Sequence, residues 1–95
     1  MAVVLTMKIP FGSDVYDRVN EEMDTANNMP DGLISHYGAK TDGEMLIVDV
    51  WDSKEHFERF ENERLMPAVE KVLGGASPAA GPEPVFAELH NEFHR

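Results

Sequence analysis

Cysteine is absent from this 95-residue chain, which excludes disulfides, thiolate nucleophiles and Cys-based metal sites. Positive charge is scarce: 8 Lys plus Arg stand against 18 Asp plus Glu, a formal net charge of −10. An acidic surface of this kind repels phosphate backbones and anionic lipid headgroups, so no nucleic-acid or membrane partner is expected. The acids are scattered, with no block that would mark an acidic tail, and solubility accounts for most of them. No apolar run approaches the ~20 residues of a membrane-spanning helix. The first residues, Met1 to Lys8, lack the basic flank and apolar stretch of a secretory signal. A soluble, cytoplasmic protein is the expectation. A P-loop, a dinucleotide glycine fingerprint, a serine nucleophile elbow and a metalloprotease helix motif are also missing, so nucleotide-dependent chemistry is not indicated.

What is present is an ordinary globular composition, 42% apolar and 27% charged, in a length that fits one domain over residues 1–95. Residues 2–9 are rich in β-branched and apolar types and stop at Pro10-Phe11-Gly12, the pattern of a first strand. Ser13 stands where an N-cap belongs, and Val15, Val19, Met23 and Ala26 recur at helical spacing, which predicts a helix over about 14–27. Met29-Pro30-Asp31-Gly32 reads as a turn and residues 33–41 as strand two. Asp42-Gly43 is the strongest hairpin signal in the chain, with strand three at 44–51. Asp52 or Ser53 caps the next helix, whose Phe57, Phe60, Arg64 and Leu65 share a face. Pro67 predicts a break near Met66 with a short second piece over 68–73. Ala76 to Pro84 is a Pro/Gly-rich connector, and strand four runs from Val85 to Asn91. The order βαββαβ is that of an α+β, ferredoxin-like fold with a four-stranded antiparallel sheet.

Sorting each strand into its two registers predicts which face the helices cover. The uniformly apolar registers, Val3/Leu5/Met7/Ile9, Leu46/Val48/Val50 and Val85/Ala87/Leu89, are assigned to the helix side. The other registers then share a bare face that mixes large apolar groups (Ile34, Met45, Trp51, Phe86) with Thr6 and the ionisable His36, Asp49, Glu88 and His90. Such a face would be a large exposed apolar patch on a monomer. A homodimer that packs two of these faces together, with a small-molecule pocket between them, removes that difficulty.

At this point the sequence resembles a known group. The run Val48-Asp49-Val50-Trp51-Asp52-Ser53-Lys54-Glu55-His56-Phe57 looks like the strand-to-helix step of the dimeric α/β-barrel superfamily, in its antibiotic biosynthesis monooxygenase-like branch. Pro30-Asp31-Gly32-Leu33-Ile34 leading to His36, and Val85-Phe86-Ala87-Glu88-Leu89-His90, look like small members of that group. The resemblance implies a dimeric barrel and the chemistry of its members: cofactor-independent monooxygenases, quinol monooxygenases, haem-degrading enzymes and polyketide cyclases. The haem-degrading members use an Asn on the first strand and a His on the second helix. Neither occurs here, and the stretch Arg59 to Leu65 also lacks the His of quinol monooxygenases. The Asn that precedes the Trp in polyketide-tailoring monooxygenases is absent from residues 45–50.

Read from the residues, His36 is the foremost acid/base candidate, able to take a proton from a phenol or enol. His90 and Asp49 complete the catalytic set. Asp49 is either a paired charge or a carboxylate that orients the histidine. Trp51, Phe86 and Ile34 offer apolar walls, and Glu88 and Thr6 polar edges, for a substrate. A two-His, carboxylate metal site is the less favoured use of these groups, and no metal or organic cofactor is expected. The function that follows is a cofactor-independent, monooxygenase-like enzyme acting on a hydrophobic, aromatic or polyketide-like molecule. A cyclase or a non-catalytic binding dimer is the alternative.

Overall fold

The computed structural model describes residues 2–75 and 83–95. Most of the expected Pro/Gly-rich connector, residues 76–82, lies outside the described residues.

Strand β1 (Val3–Ile9) leads into α1 (Ser13–Met23), β2 (Leu33–Lys40), β3 (Met45–Trp51), a second helical layer and β4 (Val85–Glu88). The sheet is antiparallel throughout, in the order β2-β3-β1-β4. The sequence-based element order therefore holds, and the differences lie at the ends. Helix α1 is capped by Gly12 in extended backbone with no side-chain hydrogen bond, so Ser13 is its first residue rather than its cap. It ends earlier than the apolar spacing implied. Asp24 takes the left-handed conformation (φ 54°) and its N–H bonds back to the carbonyls of Asn20 and Glu21, a conformation that Asp tolerates better than most residues.

The Asp42-Gly43 hairpin forms as expected: the Thr41 N–H reaches the Glu44 carbonyl at 3.0 Å, and Gly43 supplies the positive φ of 74°. Ser53 caps α2 (Lys54–Phe60), its Oγ accepting from the His56 N–H. The expected break at Pro67 does not occur. A π-helical turn over Glu61–Leu65 joins α2 to α3 (Met66–Val72). Proline lacks the N–H of an α-helical bond and crowds the preceding turn. Widening the five residues upstream accommodates the ring, so the helix bulges and continues.

The face assignment is corrected for three strands; in β2 the register of His36 and Gly38 faces the helices, not the bare side. The β1 register Val3/Leu5/Met7/Ile9 does face the helices. In β3, however, the helix-facing residues are Met45, Ile47, Asp49 and Trp51, because Trp51 packs on Phe57 of α2 at 5.6 Å between ring centroids and Leu5 pairs with Asp49. In β4 they are Phe86 and Glu88, since Leu5 pairs with Phe86 and Val3 with Glu88. The core is Leu5, Met7, Met45, Ile47, Trp51 and Phe57. Full burial of each large side chain there is worth about 1.5–3 kcal/mol. The opposite face carries Val4, Val48, Val50, Tyr37 and Val85 around Thr6, with Tyr37 57% and Val85 65% exposed. Both registers of β3 are rich in apolar residues, so apolarity could not tell them apart. The single acid, Asp49, made the wrong one look outward.

Candidate functional site

One cross-strand row places the chemistry. His36 on β2 pairs with Asp49 on β3, and Asp49 with Leu5 on β1. Directly paired residues point to the same face, so His36 and Asp49 meet beneath the helices. The carboxylate is nearly sealed, with Asp49 4% exposed. An isolated charge there would be costly. Both of its oxygens are satisfied: His36 Nδ1–H donates to Oδ1 at 2.5 Å and Trp51 Nε1–H donates to Oδ2 at 3.1 Å. Trp51, fully buried, thereby acts as a clamp on the acid as well as a core residue.

With Nδ1–H committed to the carboxylate, Nε2 is the acceptor of the imidazole. The Tyr16 hydroxyl on α1 donates to it, and the two rings lie nearly parallel, 5° apart at 6.0 Å between centroids. Tyr16 is not among the residues singled out from the sequence; it sits beside Val15 of the α1 stripe, and its meeting with His36 depends on how α1 lies across β2. Gly38 permits that approach. It faces the same side as His36, and a Cβ there would stand 2.7 Å from the Tyr16 hydroxyl.

Burial pushes the Tyr16 hydroxyl above the ordinary tyrosine value of 10.0, the Asn20 amide pulls the other way, and the Asp49 charge adds to the rise. The neutral phenol is thus favoured in the folded protein. A raised folded value means that Tyr16 costs nothing below the unfolded value and destabilises the fold once pH rises above it. Denaturant titrations of the wild type should therefore show stability falling through that alkaline range. Tyr16→Phe should flatten the fall, and an unchanged slope would show that Tyr16 is not held in the neutral form.

Behind this chain of side chains lies a cavity of about 200 Å³ between the helices and the sheet. Its walls are mostly apolar: Met7, Ile47 and Trp51 from the sheet, Val15, Val19 and Met23 from α1, and Phe57, Phe60 and Leu65 from the second helical layer. Tyr16, Asn20, Thr25, His36, Asp49 and Glu61 are the polar exceptions. Arg64 donates to the Met23 carbonyl at 3.0 Å, tying the π turn to the end of α1. A void of ~150 Å³ takes a benzene ring, and drug-sized ligands need roughly 300 Å³ or more. The space suits one or two fused rings.

The other sequence candidates lie elsewhere. His90 is exposed beyond the end of β4, and β4 and β2 are the two edges of the sheet, so His90 and His36 are not brought together. Glu88 shares the helix-facing side of β4 but is exposed and does not line the cavity. Phe86 is taken up in the core against Phe57, 5.7 Å between centroids. Thr6 points to the opposite face, between Val48 and Val85. Ile34, at the β-bulge between Leu33 and Ser35, is 50% exposed and outside the cavity lining. His56 packs over Gly32 (φ 88°), where a Cβ would lie 2.5 Å from its ring. Among the described residues no group of three or more His, Asp or Glu side chains is placed to hold a metal ion, and no helix is long and apolar enough to cross a membrane.

The β2-β3-β1-β4 sheet with its helices on one face is the ferredoxin-like α+β arrangement, and solved structures that share it include antibiotic biosynthesis monooxygenase-like proteins. A candidate antibiotic biosynthesis monooxygenase from Chloroflexus aurantiacus aligns over 99% of this chain and 98% of its own at a TM-score of 0.64 and 17% identity. SnoaB, a cofactor-independent oxygenase from Streptomyces nogalater solved as a point variant, aligns over 96% and 95% at a TM-score of 0.62 and 11% identity. A protein of unknown function from Nitrosomonas europaea aligns over 99% and 94% at a TM-score of 0.71 and 12% identity. No protein-family model matches the chain, and no curated protein matches it. At these identities the likeness is one of fold.

Proposed function

We propose that this protein is an enzyme that deprotonates a small hydrophobic aromatic or polyketide-like molecule in the cavity, with His36 as the acid/base and without a bound organic cofactor. The observation that carries this reading is the Asp49–His36–Tyr16 chain, anchored on the buried Asp49 carboxylate and opening onto an apolar cavity. Asp49 is a positioning residue: it fixes the tautomer that leaves Nε2 free to accept, and its charge stabilises the imidazolium that forms. Tyr16 links Nε2 to the substrate. As it gives its proton to Nε2, its oxygen takes the proton of a phenol or enol, leaving an electron-rich anion in a water-poor space.

In the monooxygenase-like form of the reaction, dioxygen is the co-substrate. A ring CH₂ becomes a carbonyl, one oxygen atom stays in the product and the other leaves as water with the two hydrogens. The shared fold with a cofactor-independent oxygenase supports this choice. An oxygen electrode tests it: a panel of one- and two-ring phenols and two-ring enolisable ketones with a ring CH₂ should include a compound whose addition starts dioxygen uptake. Tight binding across the panel with no uptake and no change in any compound would support the binding-module alternative instead.

The reading includes a dimer. The sheet face away from the helices carries Val4, Val48, Val50, Tyr37 and Val85, an apolar surface that a second copy of the chain would cover. The chain should sediment as a dimer at micromolar concentration. Val85→Glu, at a position already exposed in the protomer, should shift it to monomer with the far-UV spectrum unchanged. A wild type that sediments as a monomer would remove the dimer from the reading.

A further inference from the structure

Five of the six polar side chains that line the cavity are already hydrogen-bonded. Tyr16, His36 and Asp49 form one chain with Trp51. Asn20 donates to the Tyr16 backbone carbonyl at 3.1 Å and accepts from Thr25 at 3.3 Å. The sixth is Glu61, and among the described residues its carboxyl group makes no hydrogen bond and no ion pair. It is the first residue of the π-helical turn, on the helical wall of the cavity, whereas His36 stands on the sheet. A π turn placed at a cavity wall is a recurrent feature of functional sites. Burial pushes the Glu61 carboxyl above the ordinary carboxylate range, and the neighbouring Glu58 charge adds to the rise.

We propose that Glu61 is a specificity-determining residue that binds a second oxygen substituent of the ligand, at the end of the ring system remote from His36. This rests on the reading of the cavity as the ligand site and adds the substrate class: a compact aromatic with two hydroxyl groups. A hydroxyl is matched to Glu61 in either protonation state, because it donates to a carboxylate and accepts from a carboxylic acid. A ligand with one hydroxyl fills the same apolar walls but forgoes the hydrogen bond to the half-buried Glu61 carboxyl.

Equilibrium binding of 2-naphthol and of 2,6-dihydroxynaphthalene, followed by ligand fluorescence, tests this. The wild type should bind the diol about tenfold tighter or more, the contribution of one hydrogen bond to a polar group. Glu61→Leu should bring the ratio to about one by weakening the diol alone, and Glu61→Gln, which keeps a donor and an acceptor, should restore a several-fold preference. Equal affinities in the wild type, a preference that survives in Glu61→Leu, or failure of both compounds to bind would overturn the proposal. The readout is independent of turnover. A Glu61-dependent diol preference in a protein that never consumes or converts the ligand would sink the acid/base reading and leave this one standing.

Discussion

Replacing His36 with glutamine is expected to lower turnover about 10²–10⁴-fold, the contribution of a positioned acid/base group, with KM little changed. His36 donates a hydrogen bond from Nδ1–H to Asp49 at 2.5 Å, and its Nε2 accepts one from Tyr16. Glutamine retains an N–H for the buried carboxylate but has no atom that can accept and hold the substrate proton. His36→Ala makes a poorer test, because it leaves a buried Asp49 oxygen unpartnered at a cost of about 1–3 kcal/mol. Loss of turnover in alanine alone would then report a damaged fold. A His36→Gln protein that keeps its thermal stability and turns over within about threefold of the wild type would remove His36 from the chemistry.

Asp49→Ala should be the most destabilising single change in the site, by about 2–5 kcal/mol in urea unfolding. Two donors lose their acceptor at once, the His36 Nδ1–H and the Trp51 Nε1–H, each at about 1–3 kcal/mol when left buried and unpaired. Trp51 is 0% exposed, so its indole N–H is out of reach of bulk solvent. Asp49→Asn should cost less, because its amide oxygen still accepts from one of the two donors. The functional readout separates positioning from mere structure. In a folded Asp49→Asn protein, kcat should fall, KM should stay close to the wild type and the shape of the pH–rate profile should change, since the carboxylate no longer backs the imidazolium. A stability loss below about 1 kcal/mol in Asp49→Ala would contradict the network.

The two faces of β3 show why part of the site was legible in the sequence and part was not. Asp49 and His36 stood out as candidate residues because ionisable groups in otherwise apolar strands are costly unless they are used or paired. Their partnership could be reached from the hairpin, whose Asp42-Gly43 turn fixes the register that sets His36 opposite Asp49. Their face could not. Sorting strands by apolarity puts acids on the open side, whereas here the acid is buried because a tryptophan N–H and a histidine meet its two oxygens. Tyr16 lies 20 residues from His36 in the chain, and no spacing rule connects a helix residue to a strand residue across that distance.

The sequence by itself determined the element order, the antiparallel hairpin and the ferredoxin-like class, because these follow from local periodicity, turn chemistry and chain connectivity. Tertiary structure decided which face of the sheet is covered, that the helix bulges over Glu61–Leu65 and continues through Pro67 rather than breaking, and that His36 sits between Asp49 and Tyr16. Those outcomes depend on how layers pack and which polar groups find partners once water is excluded, and such energies belong to pairs of residues brought together by the fold.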